Sequence, residues 1–130
     1  MRLKHFNLAV GSQLLKAVGD ETRIRLLNLL LAKGPMAISD LEHVLDYTQS
    51  KTARHITYLK NSGILTYTKH DQWVHYNIKD ELTDVITQLL SFFEKDQQLI
   101  KDLQTFQALI SNRELSMNKI KNKGWPGEKL

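Results

Sequence analysis

The first sixty residues repeat apolar side chains at three- and four-residue spacing. In "NLAVGSQLLKAVG", Leu8, Leu14, Leu15 and Val18 fall on one helical stripe, which predicts a helix over about 6–18 closed by Gly19. Asp20 then offers a capping oxygen to "ETRIRLLNLLLAKG", where Ile24, Leu27, Leu30 and Leu31 form the next stripe and Gly34-Pro35 ends it. "SDLEHVLDY" predicts a short third helix capped by Ser39, with Leu41, Val44 and Leu45 inward. Thr48 caps a fourth helix running to about Asn61, and Gly63 supplies the left-handed residue that closes it.

The period then changes. "ILTYTKHDQWVHYNI" alternates and is rich in β-branched and aromatic residues, so Ile64 to Lys69 and Trp73 to Ile78 predict two strands joined as a hairpin by His70-Asp71-Gln72. From Asp80 a helical stripe returns (Leu82, Val85, Ile86, Leu89, Leu90, Phe93, Leu99, Ile100, Leu103, Phe106), interrupted only by Asp96 and Gln97, with no Gly or Pro before Asn112. As one helix it would be roughly 45 Å long. Its distal stripe needs a cover, most simply a second copy of the chain. The expected fold is mainly α with a small β-hairpin (α+β): a winged helix-turn-helix with a long C-terminal dimerisation helix. It occupies residues 1–112. Residues 113–130, with the basic, Gly/Pro-bearing "NKIKNKGWPGEKL", are expected to be a loosely ordered tail.

Charge sharpens this picture. The chain has 130 residues and a net charge of +4, but the excess is segregated. Lys51, Arg54, Lys60, Lys69 and Lys79 face one acid, Asp71, in residues 48–79, whereas residues 80–111 are acidic. Such segregation points to a polyanion on one side. The absence of Cys removes disulfides, thiolate metal sites and a Cys nucleophile. No apolar run reaches the roughly 20 residues of a membrane span, and the N-terminus lacks a signal-peptide pattern, so a cytoplasmic location is expected.

Three stretches carry a family resemblance. "LLKAVGDETRIRLLNLL", "TQSKTARHITYLKNSGIL" and "YTKHDQWVHYNI" occur in the order and spacing of the ArsR/SmtB regulators' opening pattern, recognition helix and wing, and the resemblance spans roughly residues 8–80. It implies a homodimeric, sequence-specific DNA-binding repressor, often relieved by a metal or another small effector. The departures are chemical. Where arsenic- and metal-sensing members place two Cys at the start of the third helix, this chain has Ala37 and Ser39, and residues 80–112 contain no His for the second metal site. Two before His55, Ala53 replaces the usual small hydroxyl residue, and Asp71-Gln72 replaces the wing's usual Gly-Arg.

The candidate DNA-binding residues are Thr48, Gln49, Ser50, Lys51, Thr52, Arg54, His55 and Tyr58 on the fourth helix, with Lys69 and His70 at the wing tip; Ala53, Ile56 and Leu59 are expected inward. A helix fits the major groove, Gln suits adenine, Arg suits guanine, and helix N-termini with hydroxyls suit phosphate. Leu8, Leu14, Leu89, Phe93, Ile100 and Leu103 are the candidate dimer interface. No cofactor, metal site or membrane partner is expected. There is no phosphate loop, nucleophile motif or triad, so an enzyme is not expected. A small-molecule effector, such as an organic ligand in the cleft between subunits, stays open as a further partner, and the sequence does not identify it. The competing class is a winged-helix protein-protein interaction module, against which the exposed Lys/Arg run argues, because interfaces between proteins deplete Lys.

Overall fold

Local capping sets the helix boundaries. Helix α1 (Leu8–Val18) begins where the Asn7 side chain accepts a hydrogen bond from the Val10 amide at 3.0 Å. Helix α2 (Glu21–Lys33) begins at Asp20, whose carboxylate accepts from the Arg23 amide at 3.1 Å, and ends at Gly34 with φ of 80°. In the computed structural model, which describes residues 6–119, strand β1 (Met36–Ala37) follows and leads into α3 (Ile38–Leu45). A left-handed residue, Asp46 with φ of 57°, turns the chain toward α4 (Gln49–Asn61). Strands β2 (Leu65–His70) and β3 (Trp73–Ile78) form the hairpin, with Asp71 at φ of 54° in its turn. A 3-10 turn (Asp80–Leu82), α5 (Thr83–Ser91), α6 (Gln97–Ser111) and a second 3-10 turn (Ser116–Lys119) complete the described chain.

The mainly helical fold with a winged helix-turn-helix is as expected. Three features differ from the sequence expectation. First, β1 adds a third strand in the order β1-β3-β2, with Met36 opposite Tyr76 and Ala37 opposite His75. Because the strand runs straight into α3, Ala37 and not Ser39 occupies the cap, without a side-chain hydrogen bond. Second, the helical stripe from Asp80 is not continuous. Asp96 accepts from the amides of Gln98 at 2.9 Å and Leu99 at 3.1 Å. An Asp that caps so well starts a new helix rather than continuing an old one. The long terminal helix is therefore α6, 15 residues, and the break lets it turn back across α2 and α3. Third, the chain beyond 112 is packed as far as it is described: Leu115, Ser116 and Met117 are buried. The rest of the expected tail, 120–130, lies outside the described residues.

The core gathers Leu26, Leu27, Leu29 and Leu30 of α2 with Leu41 of α3, Ile56 and Leu59 of α4, Ile86 of α5 and Phe106 of α6. Much of the distal stripe is thus covered within the chain itself. Leu99 and Phe106 are buried, and Leu103, Leu109 and Ile110 pack against the core. Two polar contacts fasten the terminal segment. Asp102 of α6 pairs with Arg25 of α2, both carboxylate oxygens receiving guanidinium N–H groups at 2.9 Å. Asp40 at the start of α3 accepts from the Ser116 amide at 2.7 Å and from its hydroxyl at 2.6 Å, all of it buried.

Phe106 has no exposed surface, so Phe106→Ala should cost about 3–5 kcal/mol of folding free energy. Equilibrium urea unfolding of the two proteins measures this. A loss below about 1 kcal/mol would show that α6 is not part of the protomer's core.

Candidate nucleic-acid interface

Helix α4 is held by its buried side and presents the other. Thr52, Ile56 and Leu59 are fully buried, and Ala53 is half-buried. At a rotation of 100° per residue the opposite line is Ser50, Arg54, Thr57 and Asn61, all exposed, with Tyr58 beside them. No acidic residue lies on the helix. The N-terminus is well made: Thr48 Oγ1 accepts from the Lys51 amide at 3.2 Å, and Thr48 O accepts from Thr52 Oγ1 at 2.9 Å. The remaining early amides and the positive end of the helix dipole face outward beside Gln49 and Ser50.

The candidate residues do not all reach this face. Gln49, Ser50, Arg54 and Tyr58 are exposed, and so is the cap Thr48. Thr52 is a correction: its hydroxyl is spent on the helix's own carbonyl and its surface is buried. Lys51 is half-buried, with its ammonium 4.2 Å from the centre of the Tyr47 ring. His55 lies on the flank facing the α1–α2 junction. Its Nδ1 is 3.2 Å from Nη1 of Arg23 and 4.0 Å from the Asp20 carboxylate. Arg cannot accept a hydrogen bond, so Nδ1 is the acceptor in the contact with Arg23. Burial pushes the His55 pKa down, Asp20 opposes this, and the neighbouring Arg23, Arg54 and Lys51 add to it. His55 is therefore a strut more than a reader.

Arg23 does three jobs from one position. Its guanidinium donates to the carbonyls of Ala17 and Lys16 at the end of α1, reaches His55, and lies 4.2 Å over the Tyr58 ring. A basic groove between α1 and α4 results, lined by Gln13, Lys16, Arg23, Arg54, Thr57 and Tyr58. Thr57, Asn61 and Lys16 are absent from the candidate set. Projection at 100° per residue brings out the first two, but Lys16 joins them only through tertiary packing.

On the wing, Lys69 is exposed and His70 half-buried. Tyr67 and Tyr76 meet with ring centroids 6.1 Å apart, and Lys60 of α4 sits 5.4 Å over the Tyr67 ring, which ties the wing to the end of α4. Below them His75 is fully buried. Burial lowers its pKa, with Asp40 opposing and His70 adding to the fall.

The candidate interface between subunits divides. Leu8 is 90% exposed, and Phe93 and Ile100 are also exposed. Leu14 is a correction: at 2% exposure it belongs to the protomer's own core, and Leu15 is the residue that faces out. Leu89 and Leu103 pack partly against the core. Phe6 and Phe92 extend the exposed apolar surface, Phe92 at 83%.

This is the architecture of a winged helix-turn-helix regulator, and comparisons with known proteins agree. The model of the family "bacterial regulatory protein, arsR family" matches residues 20–67. An arsenical resistance operon repressor of Escherichia coli is 39% identical over 70 residues, 54% of this chain and 60% of that protein. An HTH-type transcriptional regulator of Methanocaldococcus jannaschii is 32% identical over 80 residues, 62% of this chain and 90% of that one. Among solved structures, HlyU from Vibrio cholerae superposes with a TM-score of 0.62 at 28% identity, covering 68% of this chain and 97% of that chain. The chain belongs to the arsR family. It spans about 60% of the length of the arsenic-resistance relatives it matches. Among the described residues, no helix is long and apolar enough to cross a membrane.

Because His75 is buried and its pKa lies below the ordinary value of 6.5, the unfolded chain takes up a proton at pH values where the folded chain does not. Stability should therefore fall as pH drops below about 6.5. Urea midpoints at pH 7.5, 6.5 and 5.5 test this, and in His75→Leu the fall should be shallower. An identical slope in both proteins would remove His75 as its cause.

Proposed function

We propose that this protein is a sequence-specific DNA-binding transcriptional repressor. It acts as a homodimer on a pseudo-palindromic duplex, with α4 in the major groove and the wing along the flanking backbone. One observation carries this: the outward line Ser50, Arg54, Thr57 and Asn61 stands on an acid-free helix with its N-terminus capped and exposed. Arg and Asn at such positions suit the donor–acceptor pattern of base edges, and the N-terminal amides suit phosphate. Lys16, Lys60 and Lys69 surround the line with charge suited to the backbone. The second subunit is assigned to the exposed apolar residues Leu8, Leu15, Phe92, Phe93 and Ile100. Half-sites should lie about one helical turn apart, roughly 34 Å, or a multiple of it.

Selection from random duplexes, followed by a salt titration, tests the proposal. Binding should weaken steeply with salt, and Arg54→Ala should cost about 1–3 kcal/mol on the selected site while affecting random duplex less. Equal losses on both would remove Arg54 from base reading. No enriched sequence would favour a protein-binding module instead.

The effector chemistry of the arsenic-responsive relatives does not fit these residues. The chain has no Cys, Ala37 is buried in β1, and no imidazole lies on α5 or α6. Among the described residues no group of three His, Cys, Asp or Glu is placed to hold an ion. Thiophilic ions need thiolate, and zinc needs about four ligands in tight geometry. Calorimetry with Zn²⁺, and DNA binding with and without arsenite, should show neither a stoichiometric sub-micromolar site nor a change in affinity. A zinc site that lowers DNA affinity would contradict this.

A further inference from the structure

A chain of polar contacts crosses the protomer from the terminal helix to the first turn of α4. Asp102 of α6, 2% exposed, receives Nε and Nη2 of Arg25, both at 2.9 Å. Gln98, one turn earlier on α6, donates to the same carboxylate at 3.0 Å and fixes it further. The third arm of Arg25, Nη1, donates to the Tyr47 hydroxyl at 2.8 Å. Tyr47 lies in the turn between α3 and α4, next to left-handed Asp46. Its ring is flanked by two cations, the Arg25 guanidinium at 4.9 Å and the Lys51 ammonium at 4.2 Å. The helix-turn-helix turn and a basic residue at the start of α4 are thus held through one guanidinium whose orientation is set by a buried carboxylate on another helix.

We propose that Asp102 is a positioning residue for DNA recognition: acting through Arg25 and Tyr47, it sets where Lys51 and the N-terminus of α4 stand. This rests on the DNA-binding function proposed above. The geometry supports it because Arg25 has no slack. Its planar fork meets the carboxylate in a bidentate pair, which fixes the plane of the guanidinium and so the direction of Nη1. The Tyr47 ring must follow that direction, and the Lys51 ammonium lies over its face. Movement of α6 would therefore be felt at the reading helix, with no contact between α6 and DNA.

The sign of the effect separates positioning from charge. Asp102→Asn makes the protein more positive, which by charge alone strengthens DNA binding. Positioning predicts the reverse: affinity for the selected site falls about 3- to 30-fold, while affinity for random duplex does not fall. Tyr47→Phe removes only the hydroxyl and should lower specific affinity in the same direction. The double variant should lose no more than Asp102→Asn alone, because both act through Arg25. Amide resonances of Gln49 to Thr52 should shift in both single variants without DNA. If Asp102→Asn does not fold, Tyr47→Phe and Arg25→Lys decide, the latter keeping the charge but losing the fork. Tighter binding by Asp102→Asn, unchanged specific affinity in Tyr47→Phe, or additive losses would overturn the proposal. Should the wild type select no sequence, the DNA function fails by itself. The amide shifts then judge the linkage alone, their presence supporting it and their absence refuting it.

Discussion

Helix α2 has almost no free side, and the rest of the chain is arranged to meet that condition. Leu26, Leu27, Leu29 and Leu30 are buried to 1% exposure or less. They cannot all point one way, and α4, β3, α5 and α6 all pack against the helix. The polar residues that share this helix need partners, since an unpaired polar group taken from water costs free energy. Arg23 finds the end of α1 and His55, Arg25 finds Asp102 and Tyr47, and Asn28 finds the Leu99 carbonyl. Between them these contacts reach α1, α4, the turn before α4 and α6. A helix that is apolar nearly all round thereby fixes the orientation of its neighbours as well as their proximity.

The basic face of α4 owes as much to where the acids are as to where the Lys and Arg residues are. Asp20 and Asp96 cap helices, Asp40 holds the Ser116 turn, and Asp102 neutralises Arg25. These four carboxylates are committed to backbone amides, a hydroxyl or a guanidinium. Other acids, Asp80, Glu81, Asp84 and Glu94, fall on the segment around α5, in a different part of the sequence from α4. The charges are thus unevenly spread along the sequence, although Asp46 and Asp71 stand exposed before α4 and in the hairpin turn.

Much of this was legible because the deciding signals are local. Asp20 and Thr48 as caps, Gly34 and Gly63 as stops, and the alternation from Leu65 to Ile78 each act within a few residues, and α2, α4 and the hairpin formed where they indicated. What escaped depends on distant partners. Strand β1 is two residues long and exists because β3 lies beside it. The choice between Leu14 and Leu15 is set by where α2 sits, since both lie on the same apolar side of a helix wheel. The break before α6 is written in Asp96, a single capping residue between two stretches of the same apolar stripe. At the candidate interface, Arg54 and Gln49 followed from pattern, whereas the inward turn of Thr52 and the bracing of His55 by Arg23 needed the third dimension.

The buried hydrogen bonds between Asp40 and Ser116 join residues 76 apart in sequence. On a ribosome, Asp40 and the helix-turn-helix that follows it emerge well before Ser116 does. Helices α2 to α4 and the hairpin can assemble early from nearby contacts. Until the last turn arrives, however, the start of α3 carries a carboxylate without its Ser116 donors and an apolar surface that Leu115 and Met117 later cover. Completion of the winged helix-turn-helix is thus tied to completion of the distal segment. A nascent chain stalled before that point would hold α4 on an unfinished base, a state suited to chaperone capture.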